Sequence, residues 1–115
     1  MRIERGITRT VWLVGGLAIK FPSLRYAGTF FFKGCLANLE EAWKWHDTKG
    51  KPALHRLLCP VLWCGWFGLF LVMRRARPLS ECHRIERWKF EKVTTDTKEE
   101  NFGVIDDEVV CVDYA

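Results

Sequence analysis

The chain has 115 residues, of which 49% are apolar and 28% are charged. This length supports one domain with a modest core and is too short for two, since domains usually run from about 50 to 250 residues. The composition excludes a wholly disordered chain, because disordered chains lack the apolar residues that a core requires. A net charge of +4, from 18 basic and 14 acidic side chains spread along the sequence, does not favour nucleic acid as the partner.

The five cysteines indicate a reducing compartment. They are odd in number, contain no C-x-x-C pair, and several lie in apolar runs where a free thiol packs as a small hydrophobe. We therefore expect a cytoplasmic protein without disulfides. Cys82 and His83 could be combined with Cys59 and Cys64 as zinc ligands, but the spacing matches no zinc site, so packing is the preferred interpretation.

Two strands and a helix are predicted first. Residues 8–14 and 17–21 are rich in β-branched and aromatic side chains and flank Gly15 and Gly16, which predicts a β-hairpin that ends at Pro22. From residue 28 to residue 47 the pattern is helical.

One face of this predicted helix is apolar. Phe32, Leu36, Leu39 and Trp43 recur at spacings of four and three. At about 100° per residue, Glu40 lies on the flank of this stripe and Glu41 lies nearly opposite it. We therefore expect Glu40 to be the carboxylate that points inward.

Residues 57–73 carry no charge and are followed by two arginines. We predict a buried hairpin with strands at 57–64 and 69–73, because the turn residues Gly65 and Gly68 interrupt the run. A short membrane span over 57–73 is the alternative. Trp63, Trp66 and Phe67 at the turn are interpreted either as core residues or as anchors for a partner.

The remaining sequence predicts a short helix over 80–92, with Ser80 as its N-cap, and a hairpin at 102–105 and 109–112 joined at Asp106 and Asp107. The predicted fold class is α+β, a small antiparallel sheet packed on one main helix. We divide the single domain into a sheet and helix (1–79), a charged connector (80–100) and a C-terminal hairpin (101–115).

Several polar residues are candidate site residues because of their spacing. Asp96, Lys98 and Asn101 form a D-x-K-x-x-N pattern, and Asp113 follows twelve residues after Asn101. Upstream, Lys20 closes the apolar strand A-I-K. Each match alone is weak, and the ordinary interpretation is a set of solvated loop and strand-end charges.

In this order the residues resemble the nucleotide-handling parts of a protein kinase. The resemblance implies Mg-ATP as a ligand, with Lys20 on the phosphates and Glu40 or Glu41 as its helix partner. The other implied roles are a hinge for adenine from Met73 onward, a catalytic base at Asp96 assisted by Lys98, and metal binding by Asn101 and Asp113.

The departures from the kinase pattern are large. Thr94 and Thr95 replace the usual His-Arg before the base, and no glycine-rich phosphate loop is present. About 18 residues separate Pro78 from Asp96, too few for the helices that normally connect the hinge to the catalytic loop. A peptide substrate would then have no surface on which to bind.

The chain also resembles short phage-encoded reading frames, in its A-I-K-x-P strand end, its Leu36-Ala37-Asn38 helix segment and its F-G-x-x-D ending that runs into D-Y. In this second resemblance the matched glutamate is Glu41, which leaves the choice between Glu40 and Glu41 open. It implies a viral protein that works in a bacterial cytoplasm.

Three functions follow as hypotheses. The first is a pseudokinase-like protein that acts by binding a partner macromolecule, such as a host protein. The second is a minimal Mg-ATP-dependent phosphotransferase. The third is a small membrane protein that spans at 57–73.

Overall fold

An antiparallel sheet of five strands, in the order β1-β2-β3-β5-β4, forms one layer of the protein. The computed structural model describes residues 2–5, 9–23, 29–94 and 98–114. The strands are β1 (Arg2–Arg5), β2 (Arg9–Val14), β3 (Leu17–Pro22), β4 (Val61–Cys64) and β5 (Leu71–Arg74), and β6 (Phe102–Ile105) and β7 (Glu108–Cys111) form a separate hairpin. The helices are α1 (Thr29–Asp47) and α2 (Pro52–His55).

The predicted first hairpin is confirmed. β2 and β3 pair through a turn at Gly15, whose φ of 55° is readily adopted by glycine. Val11 lies opposite Lys20 in this pairing, so both point to the same face of the sheet. β1 was not predicted; it pairs with β2 and adds an outer strand to the sheet.

The predicted main helix is confirmed, but its predicted orientation is wrong. Phe32, Leu36 and Trp43 are 65%, 56% and 62% exposed, whereas Glu41 is fully buried and Glu40 is exposed. The buried face of α1 carries polar groups whose partners lie on other elements. Periodicity shows that a helix has an apolar face, but not which face the rest of the chain covers.

The predicted hairpin within 57–73 is confirmed with shorter strands, β4 and β5, which pair antiparallel. Its connection is a 3₁₀ turn at Trp66–Gly68. The hairpin is only partly buried, since Trp66 and Phe67 are 83% and 82% exposed. Within the described ranges, no helix combines the length and apolar character that crossing a membrane requires.

The predicted short helix over 80–92 is wrong. The structure has a turn near Ser80 and a single 3₁₀ turn at Arg87–Phe90. The segment is mostly charged and presents little apolar face for packing, and a helix of this length is marginal without packing.

The C-terminal hairpin is confirmed, with β6 and β7 joined at Asp106 and Asp107. Arg77, between β5 and the connector, forms a β-bridge with Val104 of β6. The hydrophobic core lies between this hairpin, β5 and the neighbouring loops, and its buried members are Leu58, Cys59, Leu71, Met73, Phe90, Val93, Phe102, Val110, Cys111 and Tyr114. The structure thus confirms an α+β fold in which an antiparallel sheet packs on one main helix.

Candidate functional site

The buried carboxylate of Glu41 on α1 is the centre of a polar cluster. Its Oε1 accepts hydrogen bonds from Lys20 Nζ at 2.9 Å and from the guanidinium of Arg9. Its Oε2 accepts the backbone N–H of Tyr114 at 3.1 Å. Burying a charge is costly unless it is paired and hydrogen-bonded, so Glu41 is stable in the interior only with these partners.

Lys20 joins the middle of the sheet to the helix and to the C-terminal segment. Its ammonium contacts both oxygens of Glu41, and it also donates to the carbonyl of Val112. Its side chain is 7% exposed. The predicted pairing of Lys20 with a helix carboxylate is therefore present, and Glu41 is the partner; the expectation that Glu40 points inward is wrong.

Arg9 is one of the cluster members that the sequence interpretation missed; Asn38, which binds it, is another. Its guanidinium donates to Glu41 and, at 2.6 Å, to Asp113, while its side chain is 8% exposed. The available signal was strand alternation, because Arg9 shares the parity of Val11 and Leu13 in β2 and so points inward with them. An inward arginine requires a buried acceptor.

The electrostatics of Arg9 follow from these contacts. Burial by itself would lower the pKa of the guanidinium, but the charge of Glu41 and then that of Asp113 outweigh burial and raise this pKa above its ordinary value. Arg9 therefore remains a fixed cation between two carboxylates.

Asn38 lies one helical turn before Glu41 and is also fully buried. Its Oδ1 accepts from Arg9 at 3.1 Å, and its Nδ2 donates to the carbonyls of Lys20 and Gly68 at 3.1 and 2.8 Å. It thus links the charged cluster to the Trp66–Gly68 turn. Among the described residues, every buried side-chain nitrogen or oxygen has a hydrogen-bond partner.

A second lysine, Lys44 of α1, binds the segment that follows β7. Lys44 Nζ donates to the carbonyl of Tyr114 and, at 3.3 Å, to that of Val93. The Tyr114 hydroxyl donates to the carbonyl of Cys59 at 3.0 Å, and its ring is buried in the core. Residues 112–114 are therefore fixed between α1 and the core.

The contacts of this cluster described above do not include Met73, Lys98 or Asn101. Met73 is buried in β5, opposite Ala18, and the backbone N–H groups of Arg74, Arg75 and Arg77 donate within the chain. Lys98 is exposed. The backbone carbonyl of Asn101 accepts from Val112, but Asn101 is not among the cluster contacts described above.

The predicted base, Asp96, lies outside the described residues. Its role as a catalytic base, and that of Lys98 beside it, stay predictions. Of the predicted site residues that the structure describes, it brings together Lys20, Glu41 and Asp113.

The cluster does not fit a Mg-nucleotide complex in this arrangement. Arg9 and Lys20 already bind the carboxylates of Glu41 and Asp113. Lys20 and Lys44 also donate to the three backbone carbonyls of Val93, Val112 and Tyr114. A metal ion would add positive charge where the carboxylate it needs is already bound by Arg9. In the part of the chain that the structure describes, no group of three or more His, Cys, Asp or Glu side chains could hold a metal ion.

A cleft of about 760 Å³ lies away from this cluster, between α2, the Arg87–Phe90 turn and the start of β7. Leu54, Trp88 and Val109 are among its lining residues, and none of the predicted site residues lines it. Its size suits a small ligand, but Lys20 does not line it, so a ligand bound there would not contact Lys20.

The outer side of α1 forms a second feature, which we call the apolar face. It consists of Phe32, Leu36 and Trp43 together with Trp66 and Phe67, all more than half exposed. The two parts adjoin because a Cβ at Gly68 would lie 2.1 Å from the Cys35 carbonyl and 3.1 Å from Leu39. The turn therefore rests directly on the helix, beside the apolar stripe.

Phe67 is the strained member of the apolar face. Its φ of 55° and ψ of 18° are left-handed values that bulky side chains rarely adopt. The conformation costs about 1–2 kcal/mol relative to ordinary backbone, yet the ring gains little burial in return, since it is 82% exposed. Strain that holds an aromatic ring in solvent is a feature found at binding sites.

Comparisons with family models, curated proteins and solved structures found no match to this chain. The geometry of the described residues provides a closed, charge-paired interior and an open apolar face.

Proposed function

We propose that this protein is a binding module that docks to another protein through the apolar face. The observation that carries the proposal is the orientation of α1. Its polar side is buried against Arg9 and Lys20, whereas its apolar stripe faces solvent. Large contiguous apolar surfaces on a monomer commonly mark interaction sites.

The size of the apolar face suits a protein partner. Phe32, Leu36, Trp43, Trp66 and Phe67 are exposed by 56% to 83%. A large apolar side chain presents about 150–250 Å² when fully exposed, so these five expose roughly 700 Å², close to the ~800 Å² that each partner contributes to a standard interface. Tryptophan and phenylalanine are also enriched at interface centres.

The partner that fits is a protein with an apolar groove or an apolar helix face. Lys33 and Glu40, both exposed on α1, place charges of either sign beside the stripe. This arrangement gives the face a polar rim, as in transient interfaces. Neither sign dominates, so the sequence argument against nucleic acid as the partner also holds for this face.

We also propose that the protein works in a reducing compartment such as a bacterial cytoplasm. Its cysteines are all free in the structure. Its kinase-like and phage-like character rests on the sequence resemblances alone and stays a prediction.

A Mg-ATP-dependent phosphotransferase is the second candidate. The contact between Lys20 and Glu41 favours it, and so does the position of Asp113, which binds the same Arg9 guanidinium as Glu41. The candidate requires Arg9 to release Asp113, whereas the binding module requires no rearrangement. We therefore prefer the binding module.

The test is photo-crosslinking from the apolar face in bacterial cytosol. A photoreactive residue at position 36 and another at position 67 should crosslink to the same protein, and Trp66→Ala should abolish both products. Trp88→Ala is the matched control, since Trp88 is also exposed, at 69%, but lines the cleft away from the face. Crosslinks that Trp88→Ala removes and Trp66→Ala leaves intact would overturn the proposal, and self-crosslinking would identify a second copy as the occupant.

A further inference from the structure

Four side chains with complementary chemistry meet where the connector crosses the β6–β7 turn. Ser80 Oγ lies 3.0 Å from Cys82 Sγ and 2.6 Å from His83 Nδ1. Cys82 Sγ itself lies 3.7 Å from His83 Nδ1, and His83 Nε2 lies 3.8 Å from Asp107 Oδ1. The contacts therefore run from the thiol to the hydroxyl, from the hydroxyl to the imidazole, and from the imidazole to the carboxylate.

Backbone geometry brings these groups together from two separate segments. A turn in which His83 N–H donates to the Ser80 carbonyl, at 3.0 Å, gathers the first three. Asp107 comes from the β6–β7 turn, where it has a φ of 64°. A two-residue hairpin turn with positive φ prefers glycine at this position, so the aspartate is kept there at a cost in strain. Its carboxylate also lies 3.8 Å from Arg77.

The arrangement can remove the thiol proton. Cys82 donates to His83 directly or through Ser80, and the imidazolium that forms faces Asp107. A positioned base and an orienting carboxylate are what activate a cysteine nucleophile, since the thiolate is the reactive form. Of the five cysteines, Cys82 is the exposed one, whereas burial raises the pKa of the other four thiols.

We propose that Cys82 is a reactive thiol that exchanges with low-molecular-weight disulfides, with His83 as its base and Asp107 as the positioning residue. Neither Cys82 nor its partners belong to the apolar face, so this role does not depend on the proposed function. The connector then carries a modification site.

The exchange is balanced without any further reagent. The Cys82 thiolate attacks one sulfur of the disulfide, and a new S–S bond forms as the S–S bond of the reagent breaks. The departing sulfur leaves as a thiolate and takes the proton that His83 accepted. Cys82 is oxidised to a mixed disulfide, and one equivalent of small thiol is released.

The test uses the purified full chain and oxidised glutathione, with the modified cysteine identified by peptide mass spectrometry over a range of pH. Cys82 should be modified first, and His83→Gln should lower its rate about tenfold near neutral pH. The rates of the two proteins should converge at alkaline pH, where hydroxide in solution replaces the imidazole as the base. The groups that face His83 are Ser80 and Cys82 on its own turn and Asp107 on the neighbouring hairpin. Arg77, which precedes the connector, lies beside Asp107.

Two further variants separate activation from a structural effect. Ser80→Ala should lower the rate less than His83→Gln, because the direct contact between thiol and imidazole remains. His55→Gln is the control, since His55 stacks on Trp45 and lies outside the cluster, and it should leave the rate unchanged. Equal rates for wild type and His83→Gln at every pH would overturn the proposal, as would faster modification of another cysteine.

Discussion

Lys20 Nζ lies 2.9 and 3.1 Å from the two carboxylate oxygens of Glu41, across 21 positions of sequence. This contact joins β3 to α1, and Arg9 and the Tyr114 backbone bind the same carboxylate. The orientation of α1 follows from it, because Glu41 can be buried only on the side where these donors lie. Because the Glu41 side of α1 is buried, the apolar side of the helix is exposed to solvent.

Glu41→Gln should destabilise the protein strongly. Removing one charge from a buried pair leaves Arg9 and Lys20 with insufficient compensation, and such changes cost about 3–5 kcal/mol. Glu40→Gln is the control at the adjacent exposed position, and its effect should stay within about 0.5 kcal/mol. Urea denaturation followed by circular dichroism measures both free energies of unfolding. Equal effects would show that the cluster does not determine stability.

Phe67→Gly should raise the free energy of unfolding while it weakens binding. Glycine relieves the left-handed strain, and after its larger loss of chain entropy the net gain is roughly 0.5–1 kcal/mol. Trp66→Gly, at a neighbouring exposed residue without a positive φ, should instead cost about 0.5–1 kcal/mol. Both variants should lose crosslinking from the apolar face. A loss of stability in Phe67→Gly would show that the ring is held by packing rather than retained for binding.

Gly68→Ala and Gly15→Ala should differ although both glycines have positive φ, of 74° and 55°. At Gly15 a Cβ would meet nothing within 4 Å, so only backbone strain of about 1–2 kcal/mol is expected. At Gly68 the Cβ would lie 2.1 Å from the Cys35 carbonyl, which forces the turn away from α1. We expect about 2–3 kcal/mol of further loss at Gly68, measured by thermal unfolding. Similar losses would mean that the turn does not rest on the helix.

Stability should fall with rising pH in the alkaline range. Burial raises the pKa of the Cys59 and Cys111 thiols to about 12 from an ordinary value of 9.0, and it also raises the pKa of the Tyr114 hydroxyl. At pH values between about 9 and about 12, the folded protein therefore binds more protons than the unfolded chain. Each thiol then removes up to about 1.4 kcal/mol of stability per pH unit as the pH rises from about 9 towards 12.

The measurement is the urea midpoint at several values from about pH 8 to about pH 11. Cys59→Ala is the matched variant, because it removes one titrating thiol and should flatten the slope. A stability that is constant over this range would contradict the buried, protonated state of these groups.

Calorimetry with Mg-ATP should show no saturable heat at millimolar nucleotide, because Arg9 already binds the carboxylate of Asp113. Lys20→Ala and Asp113→Ala serve as paired controls. Saturable binding that both variants abolish would instead support the phosphotransferase.

The local elements of this fold were predictable because each depends on residues close in sequence. Gly15 marks the first hairpin, alternation and turn residues mark β4–β5 and β6–β7, and a period of 3.6 residues marks α1. The connector was predicted wrongly, because Ser80 resembles a helix cap although the residues after it supply no packed face. β1 was missed, because Arg2–Arg5 contains a single apolar residue, Ile3, and so shows no alternation that would predict a strand.

The site was partly predictable. The resemblance to protein kinases implied an ion pair between Lys20 and a helix glutamate, and it also implied a role for Asp113. Arg9 was missed because a strand arginine has no visible partner in the sequence; its partners lie 32 and 104 positions away.

The sequence by itself determined where the strands and the main helix form, because propensity, periodicity and turn chemistry act over a few residues. Only the tertiary structure decided which face of α1 is buried and which glutamate Lys20 binds. The physical reason is the cost of an unpaired charge in the interior: the donors from Arg9, Lys20 and Tyr114 converge on one side of the helix, and Glu41 can be buried only there.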